Sequence, residues 1–334
     1  MIRTSRRTIL ALSLSLSLLL PLPAVAQDDK VTLRMSTPAS ETDQRSIALA
    51  EVFAPAVGEF ADYQPHYNAS LIAQGSELEA IATGDLELSI TSAQELANFF
   101  PEFSIFATGY VHQSAEHQVA VFNDELMTPF KQSVEDELGV KLLAVMYLGK
   151  RHVNLRQTRD ELEVSTPDSL TGVNLRMPGS DSWQFLGRAL GANPTPLAFT
   201  EVYTALQTGS VDGQDNPLPT VVDSKFYEVT NQIALTSHLV DLNYIAMSKE
   251  VFDALSAEQQ ATVTKAAIAA AESGRQAQLK KEQELVSYLE EQGVAIYEPD
   301  VAAFREHVQG VYEGSELAQA WPEGVLDSIN ALGE

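Results

Sequence analysis

Arg176 stands near the end of a short alternating run, Val173-Asn-Leu-Arg-Met177, which Pro178-Gly179 then stops. Val173, Leu175 and Met177 alternate with Asn174 and Arg176, so the guanidinium lies on the face opposite the apolar one. Asn216 follows directly behind the acidic loop Asp212-Gly-Gln-Asp215. A guanidinium presents a planar fork of donors that matches a carboxylate with two parallel hydrogen bonds, which a lysine cannot copy. A neutral amide beside it both donates and accepts. In open α/β sheets, ligands bind in the crevice outside the carboxyl ends of the strands, which is where Arg176 falls. The chemistry on offer is the holding of a small carboxylate.

Other chemistries find little support. The six histidines (66, 112, 117, 152, 238 and 307) never adopt the H-E-x-x-H spacing of a zinc site, and His112 and His117 read as a solvated turn. There is no G-x-S-x-G, no phosphate-binding Walker loop and no G-x-G-x-x-G. Asp212–Asn216 lacks the alternating oxygen ligands and terminal Glu of a calcium loop. With cysteine absent, thiol catalysis, thiolate metal sites and disulfides are all excluded. No catalytic residue, metal or cofactor is expected.

The elements that must position Arg176 and Asn216 read as two α/β series. Val31–Met35 alternates as an opening strand, and apolar residues at three- and four-residue spacing from Ile47 to Val57 form a helix closed by Gly58. Tyr63–Tyr67 is a second strand. Ser76-x-x-Glu79 reads as a capping box, and Leu86–Ile90 as a third strand. Strand, helix, strand, helix, strand implies parallel pairing. Val140–Tyr147 is nearly continuous in apolar residues, as for a strand buried on both faces. The polar Gly149–Arg156 suits a crossing between domains. In the second series, Trp183, Leu186 and Leu190 share a helix face, and Thr200 caps the next helix, which Gly209 ends. Ser256–Gly293 is the longest helical pattern, with Gly274 as a possible bend.

Met1–Ala26 reads as an export signal: Arg3, Arg6 and Arg7 precede the apolar run Ile9–Leu20, and Ala24-Val-Ala26 offers a cleavage site. Ser5-Arg6-Arg7 also resembles a twin-arginine signal. The signal holds three Arg and no acid, so the remaining chain keeps 18 basic and 46 acidic residues, a net charge of −28. Nucleic acid and anionic membrane surfaces are therefore poor partners, and the acid excess reads as a solubility surface. The mature length, 308 residues, suggests two domains. These are residues 27–149 with about 242–281, and residues 150–241 with about 282–334. The long helix over about 256–293 spans both.

Four segments carry a resemblance: Leu170–Pro178, Leu190-Gly-Ala-Asn-Pro-Thr-Pro196, Glu201-Val-Tyr-Thr-Ala-Leu-Gln207 and Val211–Pro217. Together they closely resemble the DctP-type solute-binding proteins of TRAP transporters, and Lys225–Glu228 and Thr236-Ser-His238 extend the match. The resemblance implies a periplasmic binding protein fold of two α/β domains with a cleft between them. It implies a monomer that carries an organic acid, a sugar acid or a C4-dicarboxylate or hydroxy acid, to a small and a large membrane subunit. It makes Arg176 the carboxylate-binding arginine, Asn216 the amide beside the ligand, Phe199 a pocket aromatic and Arg151 the second arginine. The 151–176 segment is longer than the family pattern, which leaves Arg156 or Arg159 as alternatives to Arg151. Ser36, Thr37 and Ser92 occupy pocket positions in the first domain, and the Tyr203 hydroxyl is placed to reach the cleft. Ser36 and Ser92 are smaller than the Asn and Glu of sialic-acid-binding members. A binding protein that reports to a membrane sensor and a periplasmic enzyme on this fold remain alternatives.

Overall fold

A computed structural model describes residues 30–333; the export signal expected at Met1–Ala26 lies outside the described residues. Nine strands make one continuous sheet in the order β2-β1-β3-β8-β4-β7-β5-β6, with β9 on β8. They are β1 (Val31–Ser36), β2 (Ala61–His66), β3 (Leu88–Ser92), β4 (Val140–Leu155), β5 (Asn174–Met177), β6 (Asn193–Pro196), β7 (Gly213–Asn216), β8 (Gln232–Ser248) and β9 (Ala295–Tyr297). As the alternating helices imply, β1 pairs parallel with β2 and β3, and β5 parallel with β6 and β7.

Two long antiparallel strands join the lobes. The first half of β4 and the second half of β8 complete the first lobe, while their other halves complete the second. The polar stretch from Gly149 makes the expected crossing between lobes, and does so as a continuation of β4 to Leu155, its side chains finding partners inside the protein. The β4–β8 register slips at Leu142/Ala144, Tyr147/Gly149 and Arg151/Val153, and bulges of this kind bend and twist a strand pair. Gly149 has φ +128°, and a Cβ there would lie 2.6 Å from Pro217 Cβ and 2.8 Å from Glu282 Oε1. Only glycine suits that position.

The helix Ala257–Glu291 braces this crossing. Ser256 and Gln259 cap it reciprocally, and its small buried residues Ala266, Ala267, Ala270 and Ala271 let it pack closely on the first lobe. Gly274 marks a close approach rather than a bend: a Cβ there would meet Ala48 Cβ at 3.4 Å, and the helix is uninterrupted. Farther along, Glu282 accepts from Lys150 N (2.6 Å) and Tyr147 Oη (2.7 Å), gripping β4 where it crosses. Leu289 then enters the core of the second lobe.

Several local expectations are corrected. Ser76 precedes the helix Glu77–Ala82 without a side-chain cap; Glu77 Oε2 instead accepts from Gly75 N at 2.6 Å. Thr200 lies within a 3-10 turn, and the helix Val202–Thr208 follows with no side-chain cap. The third strand is Leu88–Ser92, two residues later than expected, because Ser92 carries the true capping box with Glu95. The C-terminal segment returns to the first lobe, where Ile329 joins the core and Trp321 Nε1 donates to Ser104 Oγ at 2.8 Å. Residues 325–332 therefore pack with the first lobe, and Trp321 packs against both lobes.

His112 and His117 are buried rather than solvated. His117 is held by Gln113 N at Nδ1 and by the Ile329 carbonyl at Nε2. His112 stacks on Phe106 with neither ring nitrogen hydrogen-bonded, and burial beside His117 pulls its pKa down to about 3. The folded protein thus refuses a proton that the unfolded chain accepts below its ordinary pKa of about 6.5. Stability from this residue is complete above that value and falls by about 1.4 kcal/mol per pH unit on acidification toward 3. His112→Phe should remove that share of the slope and leave stability at pH 7 within about 1 kcal/mol, since it deletes two unpaired buried polar atoms. Urea unfolding at pH 7 and pH 5 measures both; an unchanged slope would contradict the assignment.

Candidate functional site

Three strand ends in the second lobe meet at the cleft. Arg176 on β5 pairs in register with Gln214 on β7, and Asn216 on β7 faces His152 on β4, next to Arg151. The short strands end here because Pro178 and Pro217 follow Met177 and Asn216 directly. Arg176, Arg151, Asn216 and Phe199 from this lobe line one cavity with Thr37 and Ser92 from the other. A more open recess lined by Gln74, Glu95, Pro178 and Trp183 adjoins it.

Arg151 is held from within the protein through Nε and Nη1, and its Nη2 has no hydrogen bond among the described residues. Its Nε donates to Asp241 Oδ2 at 2.6 Å, and Nη1 donates to the Asp215 carbonyl at 2.7 Å with Asp215 Oδ1 at 3.3 Å. The guanidinium also lies over the Trp183 ring, 4.3 Å from its centre. Burial alone would lower its pKa, but Asp215 and Asp241 more than offset that and hold it above the ordinary value. Asp215 in turn meets His238 Nε2 at 3.2 Å, while His238 Nδ1 is 2.8 Å from Thr236 Oγ1. Thr236, His238 and Asp215 have the contacts of a hydrolytic triad, but all three are buried behind Arg151 and none lines the cleft. Their bonds hold an arginine in place.

Arg176 is the opposite case. Nε and Nη2 both donate to the Leu197 carbonyl, at 2.9 and 2.7 Å, and Nη1 has no hydrogen bond among the described residues. No carboxylate lies within ion-pair distance of it among those residues. Burial pulls its pKa down to about 9, with Asp215 opposing this and Arg151 adding to it. A guanidinium keeps its proton even so, and the shift expresses a positive charge removed from water without a counter-ion. Phe199 covers one side, its ring centre 5.8 Å from the guanidinium carbon. Asn216 donates to Gln214 Oε1 at 2.5 Å, Gln214 to Asn154 Oδ1, and Asn154 to the Gln232 carbonyl. That amide chain fixes Asn216 and leaves its Oδ1 toward the cavity.

The first lobe contributes residues that the sequence did not single out. Asp43 caps the helix Gln44–Ala48 and grips Arg45 Nε and Nη2 at 2.9 and 2.8 Å, while Nη1 donates to Asn243 Oδ1 at 2.6 Å. Glu95, from the capping box after β3, lines both the cavity and its mouth. Gln74 Oε1 accepts from Phe199 N at 2.8 Å, a hydrogen bond across the cleft between lobes. The Ser92-x-x-Glu95 pattern was a readable signal; Arg45 and Gln74 had none.

Four sequence expectations are corrected by position. Ser36 lies beneath the wall, its hydroxyl holding Ile72 N at 3.2 Å, and does not line the cavity. Tyr203 points outward, its hydroxyl donating to Glu228 at 2.9 Å on the surface. Arg156 packs against Gly209, and Arg159 pairs with Glu163 in solvent, so neither replaces Arg151. Trp183, expected only as core, is both core and cavity wall.

Removing one partner of a buried ion pair leaves the other charge uncompensated, at about 3–5 kcal/mol. Asp215→Ala should therefore lose stability in chemical denaturation, by up to about that much, because Arg151 loses one of its two carboxylate neighbours while keeping Asp241 and the residue-215 carbonyl, and His238 loses its carboxylate partner. A loss below about 1 kcal/mol would show that this cluster does not organise the crossing.

Over residues 45–319 the chain matches the bacterial extracellular solute-binding proteins, family 7, the DctP family. A crystal structure of a TRAP periplasmic solute binding protein from Roseobacter denitrificans with bound 3-deoxy-D-manno-oct-2-ulosonic acid shares 80% identity, with TM-score 0.91 over 91% of this chain and 100% of that one. Another from the same species, with bound L-galactonate, shares 27% identity and TM-score 0.80 over 91% and 99% of the two chains. The sialic acid-binding periplasmic protein SiaP of Vibrio cholerae is 31% identical over 240 residues, 71% of this chain and 72% of that protein. The chain belongs to the DctP family and is a TRAP-type solute-binding protein.

Proposed function

We propose that the protein captures a sugar acid in the periplasm, 3-deoxy-D-manno-oct-2-ulosonic acid or a close chemical relative, and delivers it to the small and large membrane subunits of a TRAP transporter. The observation that carries this reading is Arg176: it is buried in the cleft, has no acidic partner, and sits in a chain 80% identical to one with that acid bound. The ligand carboxylate occupies Arg176, Asn216 contacts the polar groups next to it, and Phe199 packs on the carbon skeleton. Thr37 and Ser92 close from the first lobe, and Gln74–Phe199 latches the lobes together. Arg151 holds the strands that present these groups and adds cavity wall without spending its charge on the ligand. An export signal at Met1–Ala26 and a monomeric state fit this role.

On this reading the ligand is bound and released unchanged. The surrounding acid excess opposes an approaching anion, but screening beyond about 8–10 Å confines that penalty to the cleft mouth. Charge-assisted hydrogen bonds contribute about 1.5–3 kcal/mol each. Calorimetry should show the octulosonic acid binding to the wild type, and Arg176→Ala should weaken it by roughly a hundredfold or more for two lost bonds. Equal affinity in Arg176→Ala would remove this arginine from the site.

A further inference from the structure

Among the described residues that line the inner cavity, two ionisable side chains have no opposite charge against them, Arg176 in the second lobe and Glu95 in the first, while Glu201 lines only the mouth. The other charges are committed, Arg151 to Asp215 and Asp241, and Arg45 to Asp43. Glu95 uses a single oxygen. Its Oε2 accepts from Ser92 N at 2.9 Å and Thr91 Oγ1 at 3.1 Å, whereas Oε1 has no hydrogen bond among the described residues. Burial raises the Glu95 pKa against the effect of those bonds, so the group is short of donors, as Arg176 is short of acceptors. Beneath it lies Glu77, also buried, with its own Oε1 unpartnered and its pKa pushed up to about 8 by burial and by Glu95. This end of the cleft offers acceptors and no free cation.

From this polarity, and resting on the sugar-acid reading above, we infer that Glu95 is a specificity residue that accepts ligand hydroxyls and excludes acids bearing a second carboxylate. A monocarboxylate polyol fits the cleft in one direction, carboxylate on Arg176 and hydroxyls toward Glu95 Oε1. A diacid must place its second anion against the Glu95 carboxylate, and like charges at that distance repel. The cleft thereby separates sugar acids from dicarboxylates, which Arg176 alone would accept equally.

Glu95→Gln is the discriminating variant, because glutamine preserves the capping box with Ser92 and hence the fold. Calorimetry would compare the octulosonic acid with galactarate, a six-carbon acid bearing a carboxylate at each end. The wild type should bind galactarate at least a hundredfold more weakly than the octulosonic acid. Glu95→Gln, melting at the wild-type temperature, should bind the octulosonic acid at least tenfold more weakly than wild type does. Octulosonic acid affinity unchanged in Glu95→Gln, or wild-type binding of galactarate as tight as of the octulosonic acid, overturns the role of Glu95 alone. Wild-type protein that binds no octulosonic acid overturns the sugar-acid reading itself, and this inference with it.

Discussion

The ion cluster of Arg151 with Asp215 and Asp241 is the interaction on which the rest of the site depends. It ties β4, β7 and β8 together at the point where the chain crosses between lobes. Buried ions recover their hydration cost only when geometry and hydrogen bonding are complete. Here the Asp215 carbonyl, Leu242 N on Asp241 and His238 on Asp215 support the cluster. Because Arg151 is paired internally with two carboxylates, Arg176, two strands further out, is left as the positive charge without a counter-ion that a ligand can satisfy. One arginine builds the cleft and the other uses it.

The crossing itself combines stiffness with a defined place to bend. Register slips in β4–β8 and the positive φ of Gly149 localise deformation, while Glu282 on the long helix holds the same spot through Lys150 N and Tyr147 Oη. Hinge closure about a few such residues is a common way for two lobes to enclose a ligand. Across the cleft, the single Gln74–Phe199 hydrogen bond is weak enough, at about 1 kcal/mol net, for ligand contacts to decide how long the lobes stay together.

Much of this was legible in the sequence. Alternation in Val173–Met177 and the Pro178-Gly179 stop placed Arg176 at a strand end, and the Ala-rich periodicity foretold the long helix; Asn216, read as following an acidic loop, instead ends β7. What was hidden depends on pairings distant in sequence. Gly149–Arg156 read as a polar crossing between domains, but that the crossing is a buried strand could not be read, because the partners of Arg151 lie on β7 and β8. His112 and His117 looked solvated because the cover over His117 comes from Ile329 at the far end of the chain. Tyr203 and Ser36 had the right spacing but the wrong direction, which only packing decides. Glu95 announced itself as a helix cap, and only the fold shows that its second oxygen faces the cavity.

The central claim is that Arg176 is the uncompensated cation that takes the ligand carboxylate. A crystal structure of the protein with 3-deoxy-D-manno-oct-2-ulosonic acid tests it most directly. The account predicts a carboxylate oxygen at about 3 Å from Arg176 Nη1, with the Arg151–Asp215–Asp241 cluster intact. A carboxylate bound to Arg45 or Arg151, with Arg176 still turned only to the Leu197 carbonyl, would contradict it.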